Sequence, residues 1–470
     1  MNRKLVLIFL FLGGLAPTLL SEDSASTADR PNVLFIAVDD LRDWVGHLEG
    51  HPNSQTPNID RIARRGVSFS NAHCSAPLCN PSRISLLTGI APSNSGVFGN
   101  GEKMREKLPN AVTLMQHFRN SGYVVRGTGK IFHGKSAYDK GSWDSYYTPT
   151  ILTKPKSKRD KELPKSAWVP WGPMDCEDED LADGAGANWV VSQLESSHES
   201  PFFIAYGLSK PHLPWKVPQK YFDLHPLEEI ELPPVKNGDL DDIPTFGKKL
   251  AREVYDPSGE RNFAVKPDGD HANVIANHQW RKAIQAYLAT ISFADAQIGK
   301  VLDALDRSSH ADNTIVVLWG DHGWHLGEKE HWRKHTLWTV ATRTPLIISA
   351  PEGISAERIC RRPVSLIDLY PTLIDLCHLP VRADLDGRSL KPLLENPDQP
   401  WDYPVVITYG PNNHAVQTER WRLIQYRDGG LELYDHHEDI NEWNNLATSM
   451  KHEEVIRSLQ SHLPAKPTTK

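Results

Sequence analysis

Asn32-Val33-Leu34-Phe35-Ile36-Ala37-Val38 runs without a break in its apolar character into the carboxylate pair Asp39-Asp40. A continuous apolar run of strand length, with no alternation, predicts a strand buried on both faces, as in a parallel sheet covered by helices. In open α/β sheets, ligand-binding groups gather beyond the carboxyl ends of the strands. Asp39 and Asp40 fall there, although such a pair can also start a turn or cap a helix.

Three further stretches have the same form. Tyr123-Val124-Val125 leads through Gly127, Thr128 and Gly129 to Lys130 and His133, and the glycines permit a tight strand-to-loop turn that brings the two together. Phe202-Phe203-Ile204-Ala205-Tyr206 ends in a loop where Pro211 and Pro214 stiffen the chain around His212. Thr314-Ile315-Val316-Val317-Leu318-Trp319 delivers Gly320-Asp321-His322-Gly323-Trp324, and Lys334 follows after a loop. A carboxylate thus recurs just past a second apolar strand, far from Asp39 in sequence. That repetition points to a metal, while the paired Cys or His spacing of a zinc site is absent.

One more stretch supplies a nucleophile. In Cys79-Asn80-Pro81-Ser82-Arg83, Pro81 suits the first turn of a helix, so Cys79 lies at the helix mouth, where free N–H groups and the dipole favour an anionic ester. A lone cysteine in that place is ordinarily a buried structural thiol. The full string, continuing through Leu86-Leu87-Thr88-Gly89, resembles the signature of type I, formylglycine-dependent sulfatases. Lys130 with His133, Lys210-Pro211-His212, and His322 at a position where many sulfatases carry asparagine resemble the iduronate-2-sulfatase-like branch.

The resemblance implies an α/β, alkaline-phosphatase-like fold: a large mixed sheet sandwiched by helices, plus a small C-terminal antiparallel-sheet subdomain. It implies hydrolysis of sulfate esters, on a sulfated glycan, with Cys79 converted to formylglycine by a formylglycine-generating enzyme. Asp39, Asp40, Asp321, His322 and modified Cys79 would hold one divalent cation, Ca2+, with Mg2+ the alternative. Hydrated residue 79 would attack sulfur while His212 protonates the departing sugar oxygen. His133 would then take a proton to release sulfate, Lys130 and Lys334 would clamp the sulfate, and Arg83 would orient residue 79. A phosphomonoester or phosphodiester hydrolase on the same fold and a noncatalytic sulfated-glycan-binding protein are the competing readings.

The rest of the chain sets bounds. Its 470 residues, 39% hydrophobic and 24% charged, are those of a globular protein of more than one domain. A formal net charge of -7 argues against a nucleic-acid partner and leaves room for a local basic pocket. Arg3 and Lys4, an apolar run from Leu5 to Leu20 and then Ser21-Glu22-Asp23 have the layout of a signal peptide over residues 1–22, which predicts export without a stable membrane anchor. Residues 29–395 read as the catalytic domain and 396–465 as the C-terminal subdomain. Residues 139–175, with the basic Lys154, Lys156, Lys158, Arg159 and Lys161, read as an irregular insertion, and 216–275 as surface excursions around a cleft. Besides Cys79, four cysteines are present, of which Cys360 and Cys377 can form a pair or stand as independent thiols.

Overall fold

The computed structural model describes residues 30–134, 139–149, 171–252, 254–255, 261–262, 269–351, 354 and 356–465. The apolar N-terminal segment and the basic run 154–161 lie outside these residues.

In chain order, the first elements are β1 (Asn32–Val38), α1 (Pro57–Arg65), β2 (Val67–Phe69), α2 (Cys79–Thr88), β3 (Val124–Gly129), β4 (Ser145–Tyr147), α3 (Ala182–Leu194), β5 (Phe202–Leu208), α4 (Thr245–Ala251), α5 (Trp280–Arg307), β6 (Thr314–Gly320), β7 (Leu346–Ser349), β8 (Arg358–Cys360) and α6 (Leu369–Leu376), all of which build or cover the main sheet except α4, which packs with the C-terminal sheet. The strands lie in the order β8-β2-β7-β6-β1-β5-β3-β4. Neighbours from β6 to β4 are all parallel, while β7 pairs antiparallel with both β6 and β2.

The pleat explains why the central strands are apolar throughout. Leu34, Ile36 and Val38 of β1 pack on one side with Ile59, Ile204, Leu318 and residues of α3 and α5. Val33, Phe35 and Ala37 pack on the other with Phe203, Val317, Trp319 and residues of α2 and α6. Alternate side chains therefore enter two separate cores, and every residue of β1, β5 and β6 is buried. Because β3, β5, β1 and β6 are parallel neighbours, their carboxyl ends open along one edge.

A second, four-stranded antiparallel sheet follows from β9 (Val405–Thr408), β10 (His414–Gln417), β11 (Trp421–Gln425) and β12 (Leu431–Asp435), with α7 (Glu453–Gln460) beyond it. β9, β11 and β12 carry apolar runs that mark them in sequence; β10 has only Ala415 and Val416 between His414 and Gln417, too short an apolar stretch to stand out. The sheet joins the catalytic region through a shared core in which Leu337 and Trp338 meet Ile407, Tyr409, Ile424, Tyr426 and Tyr434.

Two expectations need correcting. Part of the presumed insertion is sheet: β4 extends the main sheet at its edge, and Trp171–Met174 pairs in parallel with Trp215–Pro218. The region 216–275 also holds α4 and the helices Gln219–Asp223 and Gly269–Ala276, too short for a clear periodic signal. Cys360 and Cys377 are both buried and free, so no disulfide joins them; Cys74 and Cys79 are likewise buried and free, and Cys176 is free and half-buried.

Candidate active site

Helix α2 begins at Cys79, and Pro81 lies within its first turn, where its missing N–H is no loss. All ten residues of the helix are buried, so the nucleophile candidate sits at a helix N-terminus inside the protein. Lys334 Nζ is 2.9 Å from Cys79 Sγ, His322 Nε2 is 3.3 Å away and Lys130 Nζ 3.9 Å. Burial pushes the Cys79 thiol up against the pull of both lysines, so in this setting it is a neutral thiol and a poor nucleophile.

The carboxylates surround this point. Asp40 takes a left-handed backbone conformation, φ 58°, as β1 ends. Its Oδ1 accepts from Lys334 Nζ at 2.6 Å, and its backbone N–H donates to Asp321 Oδ1 at 2.9 Å. Arg83, fully buried one turn into α2, donates from Nε to Asp321 Oδ2 at 2.9 Å and from Nη2 to Asp39 Oδ1 at 3.0 Å. The remaining oxygen of Asp39 is engaged by Lys130. Burial alone would raise Asp39, but Lys130, His212, Arg83 and Lys334 outweigh it and hold the group well below the usual carboxylate range.

The five sequence-predicted ligands are divided in the folded chain. Asp40, Cys79, Asp321 and His322 offer atoms within 4.8 Å of one another, whereas Asp39 groups with Asp40 and His212. Two observations fit a cation there. Asp40 Oδ2 is buried without a hydrogen-bond partner, and burial raises Asp40 despite Lys334 beside it, so this carboxylate is short of positive charge. His322 Nδ1 donates to the Gly323 carbonyl at 3.0 Å, which leaves Nε2, the nitrogen facing Cys79 and Asp40, with a lone pair; burial keeps this imidazole neutral. Within the tighter group, two carboxylates, one imidazole and residue 79 face one point, and the carboxylates are donors suited to a hard divalent ion.

His212 stands at the mouth, its side chain 36% exposed, with Nε2 3.8 Å from Asp40 Oδ2. Its Nδ1 donates to the Leu213 carbonyl at 2.6 Å, so Nε2 is the nitrogen turned to the site. Burial, helped by Lys130 and Lys334 and opposed by Asp39, lowers it to about 3. His133 is lowered to about 4 by burial and by Lys130 and Arg83, and its Nδ1 is buried without a hydrogen-bond partner. Both imidazoles are therefore neutral near pH 7.

Arg83 touches the carboxylates rather than the Cys79 sulfur, and its Nη1 also donates to the Ile131 carbonyl at 3.0 Å. It braces β1, β3 and β6 from the helix.

A family model described as Sulfatase matches residues 31–379. The chain belongs to the sulfatase family. A second model, described as the C-terminal region of N-sulphoglucosamine sulphohydrolase, matches residues 327–468 of this sulfatase. It is 39% identical over 460 residues to a protein named sulfatase from Formosa agariphila, covering 93% of this chain and 87% of that one. It is 33% identical over 422 residues to iduronate 2-sulfatase of Homo sapiens, covering 81% and 75%. Among solved structures, the phosphonate monoester hydrolase from Silicibacter pomeroyi superposes with a TM-score of 0.74 over 92% of this chain and 94% of that one, at 22% identity, and so shares the fold. The likeness to iduronate 2-sulfatase extends over most of the chain, beyond the short motifs. As a family member the sulfatase is a sulfuric ester hydrolase.

Sequence reasoning missed several supports of this site. Asp183, buried in the first turn of α3, accepts from the backbone N–H groups of Ser209 and Lys210 at 2.8 Å each, and so holds the loop that carries His212. The Tyr287 hydroxyl donates to the Asp40 carbonyl at 2.8 Å. Trp324 lies under Lys334, whose Nζ is 5.3 Å from the ring centroid. Asp183 and Tyr287 sat within helical patterns and carried no local mark; Trp324 adjoins the Asp321 motif and was open to notice.

Proposed function

We propose that this sulfatase is exported, that Cys79 is converted to formylglycine by a formylglycine-generating enzyme, and that it removes sulfate esters from a sulfated glycan. The observation that carries the reading is the convergence of Lys334, Lys130, His322 and Asp40 on residue 79 at the buried N-terminus of α2. The name of the relative iduronate 2-sulfatase supports a sulfated sugar as substrate. Export rests on the N-terminal sequence; among the described residues no helix is long and apolar enough to cross a membrane. Residues 29–395 form the catalytic unit and 396–465 the closing one, a division supported by the confinement of the antiparallel sheet to 405–435.

Asp39, Asp40, Asp321, His322 and residue 79 would hold the cation, Ca2+ in preference to Mg2+ because so many protein ligands suit calcium's larger and more flexible shell, whereas magnesium keeps several waters and takes one or two carboxylates. The cation supplies polarisation of the sulfate oxygens, and the hydrated aldehyde supplies an oxygen nucleophile that a buried neutral thiol does not. Lys130 and Lys334 then hold an anionic ester with two fixed positive charges that need no reorganisation as charge redistributes. Arg83 acts as a positioning residue by keeping Asp39 and Asp321 apart and aligned.

His212 Nε2 carries the proton delivered to the leaving sugar oxygen. Burial depresses this imidazole and Lys130 and Lys334 add to it; a bound anionic ester opposes the two lysines and so favours the protonated form. His133, neutral and with a buried unpartnered nitrogen, accepts the proton in the sulfate-releasing half.

The test is the mass of the peptide containing residue 79 after expression with a formylglycine-generating enzyme, read beside sulfate release. The aldehyde mass should accompany turnover, and Cys79→Ala should abolish it with unchanged thermal stability. An active preparation holding only the thiol would end this reading.

A further inference from the structure

Between α4 and the two turns of the C-terminal sheet lies a cavity of about 570 Å³ that the chemistry above does not use. Phe98, Phe246 and Tyr409 line it with aromatic surface, and Lys249 and Arg427 bring two cations against the single carboxylate of Asp428.

The cavity is tied to the active site at two places. On one side, Asn80, the residue after Cys79, donates from its side chain to the carbonyls of Gly99 and Glu102 at 2.8 Å each, pinning the turn that follows Phe98 onto the start of α2. On the other, His335, the residue after Lys334, stacks on Tyr409 with centroids 6.1 Å apart and planes 24° from parallel. The end of β9 is also fixed beside this region, where the Thr408 N–H donates to the Ser75 carbonyl at 2.9 Å. The residues that follow Cys79 and Lys334 in sequence, Asn80 and His335, thus support the turn after Phe98 and the Tyr409 wall of the cavity.

Its charge is unspent. Neither Lys249 nor Arg427 forms an ion pair among the described residues, and both are exposed. The Arg427 guanidinium lies 4.7 Å from the Phe246 ring centroid, and Phe246 in turn packs on Tyr426 at 5.5 Å, so the cation is held over a supported aromatic surface. Asp428 is partly occupied in its own turn, accepting from the Gly430 N–H at 3.1 Å. Two uncommitted cations beside aromatic faces, on a chain of net charge -7, form a local site for an anion that also has an apolar face. A pyranose ring carrying a carboxylate or sulfate has both features.

We propose that this cavity is a subsite for the sugar unit adjoining the one that is desulfated, and that it selects an acidic unit through Lys249 and Arg427. The inference rests on the reading of the active site as one that cleaves a sulfated glycan. It makes the C-terminal sheet a part of substrate selection, and favours substrates of at least two sugars over isolated monosaccharides.

The experiment compares kcat/KM for a 2-O-sulfated heparin tetrasaccharide with that for 4-nitrophenyl sulfate, in wild type, Lys249→Ala and Arg427→Ala, each normalised to its formylglycine content. The tetrasaccharide-to-aryl ratio should fall about tenfold in each variant, through KM rather than kcat, as expected for one charge-assisted contact. Carboxyl-reduced and N,6-O-desulfated tetrasaccharides identify which acid group is read: the one lacking it should bring wild type to the level of the variants. An unchanged ratio, or a wild type that cleaves the aryl ester and not the tetrasaccharide, overturns the subsite. If wild type cleaves neither ester, the active-site reading has failed, and calorimetric titration of the tetrasaccharide decides the subsite alone. Binding weakened by both variants then upholds it, and no binding or equal binding overturns it.

Discussion

Lys334→Met gives the sharpest test of how the site works. Lys334 is buried, and its ammonium meets Asp40 Oδ1 at 2.6 Å and Cys79 Sγ at 2.9 Å, so it stands between a carboxylate and the reacting position. Burial opposes its charge, yet Asp40, residue 79, Asp39 and Asp321 together raise its pKa, so it is a fixed cation throughout the working range. Methionine keeps an unbranched apolar side chain and removes the ammonium, whose nitrogen lies 5.3 Å from the Trp324 ring centroid. Loss of one preorganised donor to a developing oxyanion costs about 10²- to 10³-fold in kcat, or roughly 3 to 4 kcal/mol. Single-turnover sulfate release from an aryl sulfate, divided by the fraction of residue 79 present as formylglycine, separates catalysis from maturation. A normalised kcat within about threefold of wild type would refute the assignment, because a buried ammonium at these distances cannot be an electrostatic bystander.

Three further outcomes follow from the same geometry. His212→Ala should slow a sugar sulfate by about 10²- to 10⁴-fold and an aryl sulfate far less, since a good leaving oxygen needs no proton; equal losses would remove the acid role. Chelation with EDTA should stop sulfate release and lower thermal stability, and returning Ca2+ at about 100 times its dissociation constant should restore about 2.7 kcal/mol; turnover and melting unmoved by chelator and ion would refute the cation site, and restoration by Mg2+ in place of Ca2+ would refute calcium. Glu442, buried with Arg422 at 3.2 Å, is raised by burial but pulled further down by Arg422, His436 and Thr339, from 4.5 to about 2. The unfolded chain therefore binds its proton first. This stability is present above pH 4.5, is lost as pH falls toward 2, and amounts to about 3 kcal/mol. The stability gap between wild type and Glu442→Gln should narrow by that amount over this interval, and a gap independent of pH would show that Glu442 is not the titrating group.

The parts of the fold that could be read from sequence are those whose cause is local. β1, β5 and β6 are buried on both faces, so past the polar Asn32 and Thr314 at the starts of β1 and β6 their residues are apolar, and the run announces itself. The groups at their ends were legible for the same reason: Asp39, Asp40, Asp321 and His322 interrupt an apolar strand at its carboxyl end. β4 was not legible because it is an edge strand of three residues, exposed or half-buried, with little apolar pattern to display. Short α4 met a similar obstacle, with too few turns to establish a period.

Charge pairing was the least local property of all. Arg83 was expected to orient the residue one turn before it, and its hydrogen bonds run to Asp39 and Asp321, at sequence separations of 44 and 238 residues. Nothing near Arg83 encodes those partners; they meet because β1 and β6 are parallel neighbours and α2 crosses their ends. The same logic applies to Asp40, whose left-handed backbone is held by its N–H bond to Asp321 and its carbonyl bond from Tyr287. A buried arginine joining two strand ends therefore couples the cation ligands to the helix that presents residue 79. Loss of Arg83 would leave Asp39 and Asp321 buried without that guanidinium, a change that costs about 3 to 5 kcal/mol when one partner of a buried ion pair is removed. Arg83→Met should accordingly lower stability and cation affinity together, whereas loss of turnover with cation affinity intact would place its action on residue 79 itself.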